Sequence, residues 1–280
     1  MRMSENCARC LYRKQEKRTD HKECLAKMKE LLDHRPEDAT SPYMLYLFDQ
    51  VYEQYVGKKE SYEEIKKQYN DLVLSMEDEI RKQIEAAEEP LKTALFLARI
   101  GNYIDFGAMA QVDSDIFLEL FSKVQISESD EITYQSFLDQ CSKAETFLLL
   151  ADNCGEIVLD KLLVEQLKKR FPELKVAVMV RGGEVLNDAT KEDAVYVGMD
   201  QVAEVVSNGK PVPGTVYELL SEEAKELLDH ADVILSKGQG TYESLSNQGR
   251  HIFFTFLCKC DQFTERFGVP ELTGMFVEEC

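Results

Sequence analysis

Residues 147–167 read FLLLADNCGEIVLDKLLVEQL. An apolar run, Phe147 to Ala151, goes straight into Asp152-Asn153, and after Gly155 apolar residues recur at helical spacing. A short unbroken apolar run is read as a buried strand and the 3–4 spacing after it as a helix. The turn between them carries a carboxylate beside an amide. A buried strand that delivers such a pair to its end needs a reason.

Working outward, the same texture repeats. KVAVMV (175–180), AEVV (203–206), DVILS (232–236) and HIFFTFL (251–257) are further candidate strands, with MFVEE (275–279) as an edge. Helical patterns such as PGTVYELLSEEAKELLDH lie between them. Unbroken apolar strands alternating with helices imply a mostly parallel sheet covered on both faces. Upstream, the chain reads as helical throughout. HKECLAKMKELLDH carries one apolar stripe, SPYMLYLFDQVYEQYVG opens on Ser-Pro, and SYEEIKKQYNDLVLSMEDEIRKQIEAAEEP reads as one long helix ending before Pro90. The expectation is an α/β protein: an all-helical N-terminal domain over 1–142, about six to eight helices, followed by a Rossmann-like domain over 143–280.

Composition narrows the function. The 280 residues are 44% hydrophobic and 30% charged, as in ordinary globular proteins. A net charge of -19 argues against nucleic acid or an acidic membrane as partner, because phosphate contacts need basic surface. Only residues 1–24 run against this, with seven Lys/Arg to four Asp/Glu. No apolar run approaches the roughly 20 residues of a membrane span. The start, MRMSENCARCLYRKQEK, lacks the apolar core of a signal peptide, so a cytoplasmic location is expected. The eight cysteines then read as thiols or ligands. Cys7-x-x-Cys10 is a single pair, where a zinc site usually needs two, so a structural or regulatory role is expected for it.

In open α/β sheets ligands bind beyond the carboxyl ends of the strands. There the sequence places Asp152-Asn153, then Arg181-Gly-Gly with Asn187-Asp188, then Lys237-Gly-Gln-Gly-Thr-Tyr-Glu243, then Cys258-Lys259-Cys260-Asp261. Asp152, Asn153 and Asp188 offer hard oxygen donors suited to Mg²⁺ or Mn²⁺. Lys237 and Lys259, with the Gly238 and Gly240 backbone, suit an anion. A divalent cation plus lysines is how a phosphoryl group is clamped. Simpler readings compete. Asn153 with Glu156 fits a capping box, Asp188 a helix cap, Lys237-Gly a solvated turn, and Gly101-Asn102 a helix end. The dinucleotide fingerprint, the P-loop and the G-x-S-x-G elbow are all absent. His21, His34, His230 and His251 fall at element ends, away from these loops.

LLLADNCGEIVLDKLL, VMVRGGEVLNDATKEDA, ADVILSKGQGTYESL and FLCKCD together resemble the metal-dependent damage-control phosphatases, the domain of unknown function 89. ARIGNYIDFGA (98–108) is similar to that family's Gly-Asn-x-Ile-Asp-Phe-Gly segment, and Cys7-x-x-Cys10 to its prokaryotic CxxC-containing subgroup. The resemblance implies metal ligation and catalysis by Asp152, Asn153 and Asp188. It implies substrate or phosphate contacts from Lys237, Gln239, Gly240, Thr241 and Lys259, with Asn102 and Asp105 reaching over the sheet edge. It also implies a divalent metal (Mn²⁺, Ni²⁺, Co²⁺ or Mg²⁺) and a small phosphorylated metabolite as substrate. FLCK stands where the eukaryotic subgroup carries Arg-Thr-x-Lys, so only the lysine carries over. The expected nucleophile is water on the cation, with the Asp152 carboxylate as the alternative. The other readings are a Rossmann-like methyltransferase and a non-catalytic CxxC zinc or redox module. Oligomeric state is left open.

Overall fold

The computed structural model describes residues 1–58, 60–103 and 126–280. Before the sheet come α1 (Glu5–Arg18), α2 (Lys22–Asp33), α3 (Ser41–Tyr55), α4 (Glu63–Leu74), α5 (Glu77–Ala86), α6 (Pro90–Gly101) and α7 (Glu128–Cys141). The sheet and its crossovers follow as β1 (Thr146–Leu150), α8 (Glu156–Arg170), β2 (Lys175–Val180), α9 (Lys191–Tyr196), β3 (Glu204–Ser207), α10 (Glu222–His230), β4 (Val233–Lys237), α11 (Gln239–Leu245), β5 (Ile252–Leu257), α12 (Asp261–Phe267) and β6 (Gly274–Glu279).

The strand order is β3-β2-β1-β4-β5-β6. The first five are parallel and β6 is antiparallel on the edge. After β1 the chain builds outward to β2 and β3, then returns to place β4 on the other side of β1. The switch point therefore lies between the carboxyl ends of β1 and β4, where such sheets bind ligands.

Period-2 alternation sorts the β1 side chains onto two cores. Phe147 and Leu149 join one cluster with Leu95, Leu97, Phe137, Ile157 and Leu162 from α6, α7 and α8. Leu148 and Leu150 join another with Ala224, Leu228, Tyr242 and Phe263 from α10, α11 and α12. Both faces are covered, which is why these strands read as unbroken apolar runs. Helices α1–α3 bury a smaller third cluster around Met28, Met44 and Phe48.

Two helix boundaries differ from the sequence reading. The pattern PGTVYELLSEEAKELLDH is α-helical only from Glu222, where the Ser221 hydroxyl caps the helix by accepting from Ala224 N–H. The expected long helix is two, α4 and α5, separated at Ser75-Met76. The apolar spacing of Val73, Met76 and Ile80 continues across the break, so periodicity alone carries no sign of it. The Ser75 hydroxyl donates back to Leu72 O at 2.6 Å, ending the first helix.

Candidate active site

The turn after β1 does not cap a helix with its side chains. α8 opens on Gly155 (φ 79), whose N–H donates to Asn70 Oδ1 at 2.7 Å. Asn153 instead donates through Nδ2 to Asp152 Oδ2 (2.8 Å) and Glu156 Oε2 (3.0 Å). Both partners are carboxylate oxygens, so the NH₂ group must face them and the carbonyl oxygen points the other way. Among the described residues, Asn153 Oδ1 takes no hydrogen bond, although the residue is buried.

Asp188 is not a cap either. Thr190 begins α9, bonding Asp193 Oδ2 through its N–H (2.9 Å) and hydroxyl (2.7 Å). Asp188 lies opposite Asn153 in an isolated antiparallel bridge, and Cys154 N–H donates to Asn187 O at 2.8 Å. The loop after β2 is thus stitched onto the turn after β1. Arg181, the first residue past β2, joins the two acids. Its Nε donates to Asp188 Oδ2 (2.6 Å) and Nη2 to Asp152 Oδ1 (3.0 Å). Burial opposes the guanidinium's charge, but Asp188 and Asp152 outweigh it and hold it above its usual range.

A second charge group abuts the first. Lys237, the last residue of β4, turns into the protein and not into a solvated turn. Its Nζ lies 2.7 Å from both Glu156 Oε1 and Asp160 Oδ1, and donates to Ala98 O at 3.0 Å. Burial, relieved in part by Lys237 and aggravated by Glu156, pushes the Asp160 carboxyl up to about 7. Asn102 joins the two groups. Its Nδ2 donates to Asp152 Oδ2 and Glu156 Oε2, both at 3.1 Å, and its Oδ1 accepts from Leu257 N–H at 3.2 Å. Asn102 does end α6, but its side chain reaches the sheet edge. Gly238 (φ 81) packs against Asp152 so closely that a Cβ there would overlap the carboxylate.

The remaining expected residues lie along the same edge. Lys259 follows β5, half-buried, and its N–H donates to Gln239 Oε1. Gly240 and Thr241 sit in the first turn of α11, with the Thr241 hydroxyl buried and outside any hydrogen bond among the described residues. Asp105 lies outside the described residues. Cys7 and Cys10 are on α1, free as thiols, with Cys7 Sγ 2.9 Å from Ser41 Oγ. Burial pushes the Cys7 thiol up to about 11, far from the thiolate a nucleophile or metal ligand needs. Among the described residues no three of His, Cys, Asp and Glu stand together ready for a metal ion.

Glu156, Asp160 and the bridging role of Arg181 were not among the site residues expected. Their signal was present: an acid pair at i,i+4 on a helix otherwise as apolar as EIVLD, directly after Asp152-Asn153.

The damage-control phosphatase ARMT1-like domain matches residues 2–273, nearly the whole chain. The chain belongs to this family. It is similar to a damage-control phosphatase of Archaeoglobus fulgidus, 31% identical over 78% of this chain and 75% of the relative. A damage-control phosphatase of Pyrococcus horikoshii is 30% identical over 80% of this chain and 76% of its own length. The crystal structure of a DUF89 family protein from P. horikoshii superposes over all of both chains with a TM-score of 0.80 at 26% identity. No described helix is long and apolar enough to cross a membrane.

The residues present fit a divalent cation. Two carboxylates and an outward amide oxygen form a hard, all-oxygen donor set. The charges agree: among the described residues, four buried acids (Asp152, Glu156, Asp160, Asp188) face two buried cations (Arg181, Lys237), so acids outnumber cations by two.

Proposed function

We propose that this family member is a divalent-cation-dependent phosphomonoesterase acting on small phosphorylated metabolites. The observation that carries the reading is the excess of acids over cations among the described residues at the switch point, with Asn153 Oδ1 outside any hydrogen bond among the described residues and beside two carboxylates. The names of the Archaeoglobus and Pyrococcus relatives support a phosphatase chemistry.

In this reading Asp152, Asn153 and Asp188 hold the cation at the carboxyl edge of β1. When bound, the cation neutralises phosphoryl charge and makes phosphorus more open to attack. Arg181 fixes the carboxylates, and Lys237 acts at one remove, holding Glu156 so that Glu156 in turn orients the Asn102 and Asn153 amides. Lys259 is the cation placed at the rim to meet phosphoryl oxygens. Its backbone is held by Gln239, so the β5 end and the first turn of α11 present one surface. Gly238 lets that turn approach Asp152.

The test is phosphate release from a panel of sugar phosphates, nucleotides and cofactor phosphates, after chelation and after separate return of Mn²⁺, Mg²⁺, Co²⁺ or Ni²⁺. Cation-dependent release from small monoesters is expected. Full activity in metal-free protein, or none on any phosphomonoester with any cation, contradicts the reading.

A further inference from the structure

Arg181 is 1% exposed and forms a fork between two acids that arrive on different segments. Its backbone is pinned independently of its side chain: its N–H donates to Ala189 O at 2.9 Å, and it pairs with Thr190 in an isolated parallel bridge. Ala189 N–H in turn donates to Asp152 O at 2.7 Å. The main chain therefore already sets the places of the residues at 152, 181 and 188, so a guanidinium is not needed to hold the loop. What it adds is charge. Two carboxylates facing one site repel each other unless a cation or proton lies between them.

We propose that Arg181 is the resident counter-cation of the metal site. It neutralises the Asp152–Asp188 pair while no metal is held, and by leaving one positive charge beside the ligands it sets how tightly a divalent cation binds. The inference rests on the metal reading above. A planar fork suits the task because one edge meets each acid through a different nitrogen, leaving both carboxylates in place when the metal arrives.

The consequence separates this role from a purely structural one. Removing a structural strut lowers stability and weakens ligand binding together. Removing a counter-cation lowers the stability of the metal-free protein and strengthens metal binding. The experiment compares metal-stripped wild type, Arg181→Met and Arg181→Lys by Mn²⁺ titration calorimetry and by thermal unfolding with and without Mn²⁺. Arg181→Met should unfold at lower temperature without metal, bind Mn²⁺ about tenfold or more tightly than wild type, and gain more Tm from Mn²⁺ than wild type does. Arg181→Lys, which keeps the charge, should stay within about threefold of wild-type affinity. Wild-type or weaker Mn²⁺ affinity in Arg181→Met overturns the proposal. If Arg181→Met is insoluble without metal, it and Arg181→Gln are expressed with Mn²⁺. Recovery of soluble protein supports the counter-cation role, and insolubility of both regardless of Mn²⁺ contradicts it. Absence of Mn²⁺ binding to the wild type itself would instead overturn the metal reading, and this inference with it.

Discussion

Two buried charge groups stand side by side at the carboxyl edge of this sheet, and each holds two carboxylates and one cation. The Lys237 group is sealed: the side chains of Lys237, Glu156 and Asp160 are all 0% exposed. The Arg181 group opens slightly, with the Asp152 and Asp188 side chains 11% and 7% exposed. Equal stoichiometry in unequal surroundings gives different ways to close the same one-charge deficit. In the sealed group a proton can close it, and burial, more than the nearby Glu156, pushes the Asp160 carboxyl up to about 7. In the open group a cation from solution can reach the carboxylates. The amides of Asn102 and Asn153 tie the two groups together, so the sealed one orients the open one.

The largest expected effect belongs to the open group. Asp188→Asn keeps the shape and removes one charge from the proposed ligand set, so turnover at ordinary metal concentrations should fall by at least about 100-fold, the upper range for losing an outer-shell partner. Its metal-free stability should change little. Phosphate release measured against Mn²⁺ concentration checks this, and wild-type turnover in the variant would return Asp188 to a passive role.

Next comes the sealed group. Lys237→Met leaves Glu156 and Asp160 without their counter-charge, and breaking a buried pair in this way costs about 3–5 kcal/mol. Urea unfolding of the metal-free variant reads this directly. An unfolding midpoint equal to wild type would show that the two groups do not differ as argued.

The strands were readable in the sequence because burial on both faces makes them unbroken apolar runs, and the polar character of the carboxyl edge followed from what comes after each one. Asp152 and Asn153 were singled out because they are polar at the end of an apolar run, and Asp188 because it is an oxygen donor in the loop that follows β2. The role of Lys237 was not readable. Its partners Glu156 and Asp160 lie about eighty residues upstream on α8, and local pattern cannot bring a strand end to a helix face. The break between α4 and α5 was hidden for the opposite reason, since a local apolar rhythm continues across it.

A smaller effect tests the proton in the sealed group. Asp160 is raised to about 7 in the folded protein from its ordinary 3.8. Between those values the folded state binds more protons than the unfolded state, so stability contributed by this group is full below about 4 and lost as pH rises through 7. Glu243, pushed up to about 7 by burial, adds a slope of the same sign. The difference between wild type and Asp160→Asn isolates Asp160: between pH 5 and 8 the wild type should lose stability more steeply. Parallel curves would mean the sealed group holds no titrating proton.

The smallest effect is expected at α1. A Cys7→Ser, Cys10→Ser variant should keep turnover within about threefold, because exposed or half-buried substitutions away from buried networks are usually mild. Complete loss with fold and metal content intact would move the chemistry to the thiols.

The most direct test of the open group is calorimetric titration of Mn²⁺ into metal-stripped wild type and Asp188→Asn. Saturable binding is expected in the wild type, with an affinity at least about 100-fold weaker in the variant. Equal affinities in the two proteins, or no saturable binding in the wild type, would contradict this expectation.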